Sequence, residues 1–187
     1  MVTLLWLLLA LSPQAAEPRL KIVFEAMEPE HAAAAAGYTA LWKAEGARII
    51  DALEKRSGLR FEARDIRALV IEAPSSSGFG ATPMRLRASS PADTRKGTLI
   101  HELGHRLQSG LFRRGEEDHP FLFLYLYDVW SDLYGTPFAD AQVQVESARK
   151  GLSDYEKAWK QVLMLSPDER VAAWRNFVAS RTARSGN

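Results

Sequence analysis

The chain has no cysteine, so no disulfide can form even in an oxidising compartment. It also lacks a charge of prevailing sign. Lys and Arg number 24 against 23 Asp and Glu, interspersed to a formal net charge of +1, and no long basic run points to nucleic acid or an anionic membrane. No internal repeat or low-complexity segment is evident. The longest N-terminal apolar run, Leu4 to Leu11, is too short to span a bilayer comfortably. Histidine is scarce, with four residues in all.

What remains is the make-up of one globular domain: 187 residues, of which 47% are hydrophobic and 25% charged. At the N-terminus the apolar run is followed by Ser12-Pro13-Gln14-Ala15-Ala16 and a polar "EPRLK". This is the layout of a secretory signal cleaved near Ala16, although no Lys or Arg precedes the apolar run. The expectation is therefore a signal over residues 1–16 and a single domain over 17–187, secreted or held in a bacterial periplasm, without stable membrane insertion after cleavage.

"RLKIVFEA" (Arg19 to Ala26) alternates as a half-buried strand does. Pro29 opens a long helix with Tyr38, Leu41, Trp42, Ile49 and Leu53 at helical spacing, closed by Gly58. Ile66 to Pro74 reads as a second strand and Thr82 to Ser90 as a third, and Pro83 with the arginines of the latter marks an edge. Ser90, Pro91 and Asp93 suit a capped start for a helix from about Pro91 to Ser109, ended by Gly110. Beyond the polar loop Phe112 to His119 the chain reads as helical, with starts at Pro120, Thr136-Pro137, Ser153 and Ser166-Pro167. The fold class expected is α+β: a small mixed sheet with an edge strand packed on the third-quarter helix, then a mostly helical C-terminal half.

Two of the four histidines stand four residues apart in "GTLIHELGHRLQSG", with Glu102 beside the first. At about 100° per residue, His101 and His105 fall within about 40° of each other, while Leu99, Ile100, Leu103 and Leu107 gather opposite. Two imidazoles on one helical face can hold Zn²⁺. Glu102, rotated aside, can act as general base on water without ligating the ion. Two ligands leave a site incomplete, so a third must come from elsewhere. The candidates are Asp128, His119, Asp132, Glu116, Glu117 and Glu146.

"HELGH" followed by Asp128 and, four residues on, Asp132 in "LYDVWSDLYG" resembles the gluzincin branch of the zincin metallopeptidases. The resemblance implies a zincin-like fold, with Asp128 as third zinc ligand and Asp132 as the hydrogen-bond partner of His101. The family pattern has Glu where this chain has Asp128. His119 lies 14 residues beyond His105 and competes for the third place; otherwise it could donate to the oxyanion of a tetrahedral intermediate, as could Tyr134 or Tyr155. In the same family the edge strand pairs with an extended peptide, which gives Thr82 to Ser90 a substrate-binding role.

The function expected is zinc-dependent peptide-bond hydrolysis. Glu102 and His119 would be catalytic, His101, His105 and Asp128 would hold the metal, and the partner would be a peptide or protein substrate and no nucleic acid. The rivals are a zincin-fold binding protein that keeps the metal but cuts nothing, and a metal-free helical adaptor with a chance motif.

Overall fold

The computed structural model describes residues 20–62, 65–113, 115–149 and 154–185. The expected signal over 1–16 lies outside them. Among the described residues, three parallel strands, β1 (Lys21–Ala26), β2 (Asp65–Ile71) and β3 (Met84–Arg87), lie in the order β1-β2-β3. Six α-helices accompany them: α1 (Ala32–Ser57), α2 (Ala92–Gln108), α3 (His119–Tyr134), α4 (Thr136–Ser147), α5 (Tyr155–Leu163) and α6 (Pro167–Ser185). The class is α+β with a helical C-terminal half. The expected mixed sheet is instead parallel in all three strands, and the antiparallel element shrinks to one bridge between Ser76 and Arg85.

Alternation along the strands sends Ile22, Ile66, Ala68, Val70, Met84 and Leu86 inward. The other face carries charges tied across strands, Lys21 to Asp65 and Arg67 to Glu25. α1 packs on β1 and α3, buries Tyr38, Trp42, Ile49 and Leu53, with Tyr38 stacked on Phe24 of β1, and stops at Gly58, whose φ of +70° is left-handed backbone that suits glycine. β3 was expected to offer a free edge. Its backbone there is already engaged, because Ser76 and Arg85 exchange both N–H to O=C bonds at 3.0 and 2.8 Å and the Arg87 N–H donates to Ser75 Oγ.

The "FLFLYLY" alternation lies within α3, where Pro120 occupies the first turn. This helix runs through the middle of the helical half and touches α1, α2, α4, α5 and α6, so nearly every side is apolar: Leu122, Phe123, Leu124, Tyr125, Leu126, Val129 and Trp130 are buried. α2 starts at Ala92 with Pro91 at its N-cap and no side-chain cap; the expected Ser90 cap is not used. α6 does begin with a reciprocal capping box, Ser166 N–H to Glu169 and Glu169 N–H to Ser166 Oγ.

Two glycines of α2 set its distance from its neighbours. A Cβ on Gly104 would meet Leu122 Cδ1 of α3 at 2.5 Å, and one on Gly97 would overlap the Gln142 side chain of α4. Both helices therefore lie close against the face of α2 that carries His101 and His105.

Candidate metal centre

α2 is buried on both sides, so the apolar and the polar face of the helix are equally withdrawn from water. Leu99, Ile100 and Leu103 are fully covered, and so are His101 (1% exposed), Glu102 (3%) and His105 (6%). Three buried titratable groups within five residues cost free energy unless each finds a partner. The structure sets carboxylates beside the two histidines, Asp118 of the loop before α3 and Glu146 of α4.

His101, His105 and His119 form a cluster whose ligand atoms lie within 4.8 Å of one another, and these residues could hold a metal ion. His119 reaches it because the polar loop folds back and makes it the first residue of α3. Its ring sits 4.6 Å from that of His105 and 5.5 Å from that of His101, centroid to centroid.

Behind each ring stands a carboxylate. Asp118 Oδ2 accepts from His105 Nδ1 at 2.6 Å, and Glu117 Oε1 lies 2.6 Å from His119 Nδ1. Glu146 Oε1 lies 2.6 Å from His101 Nδ1, though off the line a hydrogen bond needs. Asp118 is itself held by Gln108 Nε2 at 3.1 Å, and Gln108 accepts from Tyr125 Oη at 3.2 Å. His105 Nε2 is 2.9 Å from His101 Nε2, and His119 Nε2 is 2.7 Å from Tyr155 Oη. A carboxylate beside each Nδ1 is the arrangement that orients imidazoles for a metal, and the cluster could hold a metal ion.

Electrostatics divide the cluster into two pairs. Burial pushes His105 down, but the Asp118 hydrogen bond and the charges of Glu102 and Asp118 outweigh it and raise the imidazole above 6.5. Asp118 is correspondingly lowered, its burial being overcome by the His105 hydrogen bond. That pair is ionic. His101 and Glu146 are driven the other way, His101 well below 6.5 by burial and by the His105 charge, and Glu146 up to about 7 by burial. Glu102 is also pushed up to about 7 by burial, against the pull of His105 and Arg149.

Asp128, expected as the third ligand, is not brought to the cluster. Its two oxygens accept from Arg170 of α6 at 3.1 and 2.7 Å, both side chains being nearly covered. The reason is axial: nine residues separate it from His119 on one helix, about 13 Å of rise. Asp132, expected beside His101, pairs with Arg56 of α1 at 2.8 Å, and Glu146 stands beside His101 instead. Glu116 pairs with Arg181, and Tyr134 donates to Glu45. Tyr155 is at the cluster. Asp118 and Arg149 escaped the reading of the sequence. The first had a signal in its place directly before His119; the second had none.

Compared with protein-family models, with curated proteins and with solved structures, the chain matches none.

Proposed function

We propose that the protein is a zinc-dependent peptidase of zincin type, exported from the cell, in which His101, His105 and His119 hold the ion and Glu102 is the general base. The observation that carries this reading is the convergence of three imidazoles whose ligand atoms lie within 4.8 Å of one another, on a helix that also buries Glu102, which belongs to none of the three imidazole–carboxylate pairs. Zinc, when bound, supplies Lewis-acid polarisation of a carbonyl and acidifies water. The chain's own part is proton transfer and orientation. A carboxyl with its proton affinity near neutrality can take a proton from water and return it to a leaving amine. The carboxylates of Asp118 and Glu117 on Nδ1 hold the rings of His105 and His119 in one orientation, and Tyr155 Oη is bonded to His119 Nε2 at 2.7 Å.

The test is a peptide-library digest with zinc-loaded protein, alongside Glu102→Gln. The expected outcome is cleavage by the native chain and a loss of about 10²- to 10⁴-fold in the variant, with metal content unchanged. A zinc-loaded native chain that cuts no peptide would favour the binding-protein alternative.

A further inference from the structure

The rim of the cluster holds a cation whose setting differs from that of the other arginines packed between helices. Arg149 follows α4, and its side chain is 28% exposed. Its Nη2 donates to Thr98 Oγ1 of α2 at 3.2 Å, and its guanidinium carbon lies 6.0 Å from the centre of the Tyr155 ring. Thr98 is three residues before His101, and Tyr155 Oη is bonded to His119 Nε2. Thr98 and Tyr155 thus hold Arg149 between α2 and α5, and Tyr155 in turn bonds the imidazole of His119.

Its carboxylate neighbour is Glu146, at 3.7 Å. That distance exceeds a hydrogen bond, and the other Glu146 oxygen accepts from Trp159 Nε1 at 3.3 Å. Arg170 and Arg56 provide the contrast. Each sits at a helix junction and each grips one carboxylate with two nitrogens, Asp128 and Asp132. A guanidinium is a planar fork shaped for two carboxylate oxygens. Arg149 is the fork at the cluster without such a grip among the described residues, and it is partly open to water.

We infer that Arg149 receives a carboxylate of the substrate, so that the site takes peptides carrying a free carboxylate close to the bond presented to the metal. This rests on the peptidase reading and narrows its substrate class. A chain-terminal carboxylate and an Asp or Glu side chain offer the same two oxygens, and they are distinguished by experiment.

The experiment uses zinc-loaded full chain carrying Glu102→Gln, so that ligands stay uncut, and measures binding by calorimetry. One arm compares an N-acetylated tripeptide acid with its C-terminal amide. The second compares amidated peptides that differ by one internal Asp or Asn. The expected result is a preference of about tenfold or more for the acid in one arm, as a charge-assisted hydrogen bond contributes, and its collapse toward equality when Arg149→Gln is added. Arg149→Lys, which keeps the charge and loses the fork, should retain only part of the preference. Equal binding within both arms while Arg149 is intact overturns the inference without need of any variant. So does a preference that survives Arg149→Gln in protein that still melts cooperatively. Failure of the native chain to cut any peptide would sink the peptidase reading while leaving the carboxylate preference to be read from binding, so the two failures are distinct.

Discussion

His101 and His105 face each other nitrogen to nitrogen, with 2.9 Å between their Nε2 atoms. Two lone pairs do not approach so closely, so in metal-free protein a hydrogen lies between them, and Asp118 favours the protonated form of His105. A metal ion would take the place of that hydrogen. Because His105 binds its proton above the ordinary imidazole value of 6.5, protons compete with the metal from that raised value downward. Zinc should bind more tightly at about pH 8 than at about pH 6, with proton release on binding. At zinc 100-fold above its dissociation constant, the native state should gain about 2.7 kcal/mol, roughly 5–11 °C in melting temperature for a domain of this size. A titration and a pair of melting curves, with and without chelator, check both.

Replacing His119 by Ala should reduce zinc affinity severely, since it removes one of three protein ligands. Asp128→Ala should leave zinc bound and instead cost about 3–5 kcal/mol of stability, because it strands the buried Arg170 guanidinium. Metal content after dialysis and urea unfolding of each variant separate the two effects. Zinc lost from the Asp128 variant and kept by the His119 variant would reverse the assignment.

The carboxylates behind the rings should behave as orienting groups. Asp118→Asn and Glu146→Gln are each expected to weaken zinc about 10- to 100-fold, while Asp132→Asn, whose part-exposed pair with Arg56 lies elsewhere, should leave affinity unchanged and stability within about 1 kcal/mol. Competition against a chromophoric chelator measures all three.

Gly104→Ala tests the close approach of α3. The added methyl must displace Leu122 Cδ1, so a loss of about 1–3 kcal/mol is expected. Because α3 carries His119 at its first turn, zinc affinity should fall as well. A variant as stable as the native chain would show that α3 yields without cost.

Much of this was legible because it is local. The span of α2 and the shared face of His101 and His105 follow from helical periodicity within 17 residues. So does the glycine stop of α1, whereas the odd-even alternation of "FLFLYLY" suits a strand as well as the helix it forms in α3. The third member of the cluster is not local. His119 joins it only because the loop before α3 turns back, and no periodicity reports that. Asp128 and Asp132 do share a face of α3, as their spacing requires, but that face turns toward α6 and α1, where Arg170 and Arg56 wait 42 and 76 residues away in the chain. The parallel sheet was hidden for a similar reason. β2 and β3 are joined by a loop, residues 72–83, that crosses back and bridges at Ser76, where the sequence shows only a stretch rich in serine and glycine.

Anomalous diffraction at the zinc absorption edge, from crystals of the chain grown with zinc, tests the account most directly. The prediction is one strong peak at about 2.0–2.1 Å from the Nε2 atoms of His101, His105 and His119, with Asp128 still on Arg170. No peak there, or a peak bonded to Asp128 in place of His119, would contradict it.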